Sequence, residues 1–253
     1  MKLGDFSNLA KDYSKSRPSY NKDIVDTLLK ATKKPLDKVI AADVGAGTGI
    51  FTKCLLNGGV SNIVAVEPND EMRKAGEAFL SNKITFIKGS AEHTLLEPEK
   101  YDLVTMASSF HWPNTQNAMR EFGRILKKGG IFSALWNPRV TERSVSETRI
   151  QNILIDKYNL KHRVSSGRSG ITTKLTDTLI NSGIFRSVIY AESIDIIQRS
   201  HKEYIGAWRS VNDIQVQLGK TKFAAFLDDV EKIIREYPYV EVHYLTRAWI
   251  AEK

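Results

Sequence analysis

Over the first 136 residues, short runs of branched apolar residues alternate with stretches of helical period, and this alternation leaves few architectures open. The strand-like runs are "KVIAADVG", "NIVAVEP", "ITFIKGS", "YDLVTMAS" and "IFSALW". Helical stretches separate them: "GIFTKCLLNGG", closed by Gly58 and Gly59; "NDEMRKAGEAFLS", capped by Asn69 or Asp70; and "NTQNAMREFGRILKKGG", ending on a double glycine. A helix over 23–33 precedes them, with Ile24, Val25, Leu28 and Leu29 on one face. Strands alternating with helices of this length predict a doubly wound α/β domain on a parallel sheet. Ligands of such sheets bind beyond the carboxyl ends of the strands, where the winding reverses. That directs attention to residues 43–49, Glu67, residues 89–92 and residues 107–112.

Past Trp136 the alternation loosens into a helix over 141–160, a strand over 185–197, helices at "SHKEYIGAWRSV" and "KFAAFLDDVEKIIREY", and a last alternating strand, "VEVHYLTRAWIAE". No linker rich in Gly, Pro or Ser interrupts the chain, so the expectation is one domain over 1–253. No window approaches 18 consecutive apolar residues, and the charged start lacks the apolar stretch of a signal peptide; the reading is a cytoplasmic protein without membrane contact. The one cysteine, Cys54, allows no intramolecular disulfide and reads as a small buried apolar residue. Five scattered histidines give no metal-ligand spacing, so no metal is expected.

Net charge is +8, yet residues 61–134 carry nine basic and nine acidic side chains. Between Lys157 and Thr176 lie Lys157, Lys161, His162, Arg163, Arg168 and Lys174 with no acid, which fits a solvated loop or an electropositive rim that draws in an anion. No basic run is interleaved with aromatics, so nucleic acid ranks last among partners.

The glycine loop "AADVGAGTG" narrows the ligand. A dinucleotide fingerprint needs GxGxxG, and its third position here is Ile50; the GK[ST] of a P-loop is absent too. What remains is DxGxGxG, with Asp43 as the acid and glycines at 45, 47 and 49. A carboxylate beside the loop repels a pyrophosphate and suits a cation, such as a ligand with an ammonium and a sulfonium. Glu67, 20 residues after Gly47, stands where it can accept hydrogen bonds from ribose hydroxyls.

"VIAADVGAGTG", "VAVEPNDEM", "IKGSAEHT", "YDLVTMASSFHW" and "RILKKGGIFSALW", in this order, resemble the class I S-adenosylmethionine-dependent methyltransferases. The likeness is narrower toward the small-molecule branch with the ubiquinone-type and trans-aconitate-type enzymes. It implies a Rossmann-like seven-stranded sheet of order 3-2-1-4-5-7-6, with strand 7 antiparallel and helical cap elements. It further implies lid helices over 1–35, a cofactor core over 36–136, and cap helices with two last strands over 137–253. By the same resemblance Gly45, Ala46, Gly47 and Gly49 line the methionine part of S-adenosylmethionine, and Asp43 positions that loop or the ammonium through water. Glu67 binds the ribose; Pro68 and Met72 flank the adenine; Ser90, Ala91 and Glu92 lie at its edge, with Ser90 where many relatives carry Asp. Ala107 and Ser108 run beside the sulfonium, and Tyr13, Arg17 and Tyr20 belong to a closing N-terminal segment.

Methyl transfer from a sulfonium asks the protein mainly to position a nucleophile and exclude water. "SSFHWPN" supplies the catalytic candidates: His111 as base, substrate contact or loop-orienting group, and Trp112 as a pocket wall or helix-start packing. Trp208 and Arg209 suit an amphipathic anion, with helix packing as the plain alternative for Trp208. The expected reaction is O-methylation of a small carboxylic acid or acidic hydroxyl compound by a monomer or homodimer. The rivals are N- or C-methylation, an NAD-dependent oxidoreductase, a non-catalytic cofactor-binding module and RNA methylation.

Overall fold

In the computed structural model, which describes residues 18–81, 83–160, 170–209 and 211–253, the strands are β1 (Ile40–Val44), β2 (Asn62–Val66), β3 (Thr85–Ile87), β4 (Tyr101–Ala107), β5 (Leu126–Trp136), β6 (Ser187–Arg199) and β7 (Val240–Glu252). Helices are α1 (Lys22–Ala31), α2 (Ile50–Asn57), α3 (Asp70–Phe79), α4 (Thr115–Ile125), α5 (Val145–Asp156), α6 (Leu175–Ile180), α7 (His201–Arg209) and α8 (Asn212–Ile234). The strands form one sheet in the expected order β3-β2-β1-β4-β5-β7-β6, and β7 runs antiparallel to β5. β1 pairs in parallel with β2 on one side and β4 on the other, so the winding reverses between β1 and β4.

The described chain divides into two compact units: residues 19–137, 170–193 and 246–253 form one, and residues 138–160 and 194–245 the other. In the first, side chains along each central strand alternate between two cores. Ala41, Leu103, Ile131 and Ile250 bury one face against Val25, Leu28, Phe51 and Leu55. Ala42, Val104 and Phe132 bury the other against Phe122 and Ile125 of α4. Near-continuous apolar strands are what a sheet covered on both faces demands. Each fully buried large side chain contributes about 1.5–3 kcal/mol before entropy is charged against it. The second unit has its own core, with Leu154, Tyr204, Trp208, Phe226, Val230 and Tyr244 among its members.

Four element limits differ from expectation. The helix read through the double glycine stops at Ile125, because Leu126 pairs with Tyr101 and begins β5. Residues 141–160 give a single 3-10 turn at Thr141–Arg143 and then α5, whose N-terminus Ser144 caps by accepting from the Glu147 amide. The helix expected from Lys222 starts at Asn212 and breaks at Gly219, where φ is 70°. α6 and the 3-10 turn Gly170–Thr173 were not foreseen, since the basic residues there mask a short apolar face of Leu175 and Leu179. Cys54 is only partly buried, with Sγ 3.2 Å from Ser19 Oγ. Among the described residues no helix is long and apolar enough to cross a membrane.

Candidate functional site

All the loops at issue belong to the first unit. The turn between β1 and α2 is pinned to the neighbouring strand, since the Gly45 and Ala46 amides both donate to Val66 O, at 2.8 and 3.1 Å. Two glycines in it do different work. Gly45, at φ +65°, is hemmed in: a Cβ there would lie 2.9 Å from Ser109 Cβ. Gly47, at φ +56°, faces open space, with nothing within 4 Å of a built Cβ. Between Gly47 and Gly49 the Thr48 hydroxyl is buried, at 1% exposure, and its oxygen has no hydrogen-bond partner. A buried hydroxyl left unpaired costs roughly 1–3 kcal/mol, and an orphan of this kind next in sequence to Gly47 fits a ligand that completes it.

Asp43 ends inside the protein, at 0% exposure. Thr52 Oγ1 donates to its Oδ2 at 2.6 Å and Thr105 Oγ1 to its Oδ1 at 2.8 Å. Burial raises its pKa to about 6, a shift the two threonine hydroxyls only partly offset. Of the two roles considered, loop positioning matches this geometry: Asp43 ties the first turn of α2 to β4 beneath the glycine loop.

Glu67, just beyond β2, is buried too, at 8% exposure. Its Oε2 accepts the Gly47 amide at 2.9 Å and its Oε1 the Asn69 amide at 3.0 Å, while burial pushes its pKa up. Each oxygen keeps a second lone pair for a hydroxyl donor. Arg73 holds the strand exit rigid by donating to the carbonyls of Glu67 and Pro68. Met72 and Ala91 are buried at 6% each, and Pro68 is exposed. Ser90 closes a turn with His93, each amide donating to the other's carbonyl at 3.1 and 3.2 Å. Glu92 Oε1 accepts the Asn114 amide at 2.9 Å, linking this loop to the one after β4. Burial alone would raise the Glu92 carboxyl, but the Asn114 amide and the Ser90 hydroxyl outweigh it and hold it low.

After β4 the chain turns sharply: Ser108 takes φ +55°, and its amide donates to Leu135 O at 2.7 Å. Its hydroxyl lies 2.8 Å from Tyr20 OH, and the Tyr20 ring meets Phe51 edge-on. Ala107 and Ser108 are half-buried, and Trp112 is 60% exposed, 4.6 Å from the His111 ring. The buried Trp136 Nε1–H donates to His111 Nδ1 at 3.5 Å, and burial lowers the His111 pKa to about 4.

The structure thus brings Gly47, Glu67, Met72, Ala91 and Ser108 to one end of the strands, with Asp43 behind them. Tyr13 and Arg17 lie outside the described residues, as do Lys161, His162, Arg163 and Arg168. Trp208, in the second unit, is core, packed edge-on to Phe226, and Arg209 is exposed. Sequence reasoning missed Thr48, Thr52, Thr105, Asn114 and Trp136. A hydroxyl two residues before the helix and another in its first turn was the available hint for Thr48 and Thr52. Among the described residues no three or more His, Cys, Asp or Glu cluster as metal ligands. Open space at Gly47, an unpartnered Thr48 hydroxyl and a carboxylate at the rim fit a nucleoside carrying a polar, charged tail.

Residues 42–134 match the family model described as a methyltransferase domain. An uncharacterized methyltransferase of Mycobacterium tuberculosis is 34% identical over 134 residues, 53% of this chain and 52% of that protein, so the chain matches about half of that relative's length. A solved structure from Anaeromyxobacter dehalogenans, described as a candidate type II methyltransferase, shares the fold with a TM-score of 0.68 at 16% identity, over 93% of this chain and 97% of its own. A Haemonchus contortus phosphoethanolamine N-methyltransferase 2, solved with phosphomonomethylethanolamine and S-adenosylhomocysteine, shares it with a TM-score of 0.52 at 13% identity, over 96% and 56%.

Proposed function

We propose that the chain, whose residues 42–134 match a methyltransferase domain, is a class I S-adenosylmethionine-dependent methyltransferase that methylates an oxygen nucleophile of a small molecule, a carboxylate or an acidic hydroxyl. One observation carries the donor part of the reading: the Glu67 carboxylate grips the amide of Gly47, the glycine that faces open space, so acidic residue and loop form a single rim. When bound, S-adenosylmethionine supplies a methyl group already activated by a sulfonium. The chain's part is to bind and to orient. Glu67 accepts from the ribose hydroxyls; Gly45, Ala46, Gly47 and Gly49 give backbone approach to the methionine part, with the Thr48 hydroxyl beside it; Asp43 holds that turn from beneath. Pro68, Met72, Ser90, Ala91 and Glu92 make the adenine side, and Ala107 with Ser108 the wall next to the reacting carbon. Holding a nucleophile about 3–3.5 Å from that carbon with water excluded supplies roughly 7–11 kcal/mol of the barrier reduction.

The expected layout is a lid over 1–35 that includes Tyr13 and Arg17, the core over 36–136 and a substrate cap over 137–253, in a cytoplasmic monomer or homodimer. The basic residues between Lys157 and Lys174 support an anionic acceptor through long-range attraction. Incubation with methyl-labelled S-adenosylmethionine and a panel of organic acids, phenols and amines tests the acceptor. Transfer to acids supports the proposal; transfer to amines alone overturns the oxygen assignment and leaves the donor assignment standing.

A further inference from the structure

His111 has two ring nitrogens, and the fold has already committed one. Trp136 is fully buried, and an indole N–H can only donate. Its partner is His111 Nδ1, at 3.5 Å, the outer limit of such a bond. A nitrogen that accepts carries no proton, so the neutral ring keeps its proton on Nε2. Burial moves the ring toward the neutral form, with no charged group contributing. Beside it the exposed indole of Trp112 lies with its centroid 4.6 Å away, tilted 41°.

We infer that His111 is a hydrogen-bond donor through Nε2–H to an acceptor oxygen that is already ionised, which makes small carboxylic acids with an apolar or planar body the substrate class. This rests on the methyltransferase reading above. The bond balance agrees. A carboxylate lone pair forms the new O–C bond as the S–C bond breaks and leaves its electron pair on sulfur. The positive charge on sulfur and the negative charge on the carboxylate cancel, and no proton needs a destination. A phenol with its pKa near 10 would have to shed a proton at neutral pH. His111 offers it no vacant nitrogen, because Nδ1 is taken and Nε2 is protonated.

Long-range 1H–15N NMR on histidine-labelled protein reads the ring directly, with the His111 signals assigned by their loss in His111→Gln. The expected spectrum is the Nε2–H tautomer, neutral from pH 5 to 8 and redistributed between tautomers in Trp136→Phe. An Nδ1–H tautomer, or an imidazolium at pH 7, overturns the inference. Kinetics give a second readout. With carboxylic acids, kcat/KM is expected to be flat between pH 6 and 8.5. His111→Ala should lose roughly 10- to 100-fold, the worth of a hydrogen bond to a charged group. His111→Gln, which still donates, should recover most of that loss; equal loss in both variants marks His111 as a base and contradicts the inference. S-adenosylhomocysteine titration of both variants keeps the outcomes apart, since its failure strikes the methyltransferase reading and not the role of His111.

Discussion

Burial disfavours the charged forms of both Asp43 and His111, and the two residues tilt stability with pH in opposite directions. The folded state holds the Asp43 proton up to about 6, while an unfolded aspartate releases it near 3.8. Its stabilising contribution is therefore full below about 4 and lost as pH rises through 6. For His111 the unfolded ring takes a proton below 6.5 and the folded ring resists to about 4, so stability is lost as pH falls through that window. Denaturation midpoints measured from pH 4 to 7 should show the two slopes partly cancelling in the wild type. Asp43→Asn should leave a net rise with pH, and His111→Gln a net fall. A variant whose profile overlays the wild type refutes the burial assigned to that residue. Neither environment was legible in the sequence. Asp43 reads as a loop-positioning acid or an ammonium contact through water, and the hydroxyl of Thr105, its register partner on β4, is out of reach of that local reading. His111 reads as base, substrate contact or loop-orienting group alike, because nothing local shows that Trp136, 25 residues on, donates to it.

The elements themselves were largely legible, because branched runs and amphipathic periods are local properties. The seven strands lie in the expected order, and Asn69 caps α3 by accepting the Glu71 and Met72 amides. Local reading failed where tertiary pairing overrode it. "LKKGG" resembles a helix end, yet the pairing of Leu126 with Tyr101 makes it strand. At the glycine turn the physics separates two substitutions of identical size. Gly45→Ala combines a strained φ with a collision against Ser109, and should cost roughly 2–4 kcal/mol of stability by denaturant titration. Gly47→Ala meets no atom, so it should cost about 1 kcal/mol from φ alone while its methyl group fills the cofactor space. Its affinity for S-adenosylhomocysteine should fall at least tenfold by calorimetry, about 1.4 kcal/mol. Undiminished affinity in Gly47→Ala would show that the open space is not the binding face.

Across the molecule, charge is distributed by region: a net +8 overall, with residues 61–134 neutral. The proposed long-range attraction of an anionic acceptor by the basic residues between Lys157 and Lys174 predicts that KM for an anionic acid rises several-fold as salt goes from about 0.05 to 0.5 M, since screening shortens the reach of surface charge. KM for an uncharged analogue should hold still, and equal salt sensitivity of both would contradict the proposed attraction. The identity of the donor rests on fewer assumptions and is tested more directly. Calorimetric titration of the wild type and Glu67→Ala with S-adenosylhomocysteine and with NAD should give binding of the first compound only. The substitution should weaken it roughly 10- to 100-fold as the ribose hydroxyls lose a charged acceptor. NAD binding without S-adenosylhomocysteine binding, or a Glu67→Ala affinity equal to the wild type, would contradict the assignment of this rim to the methyl donor.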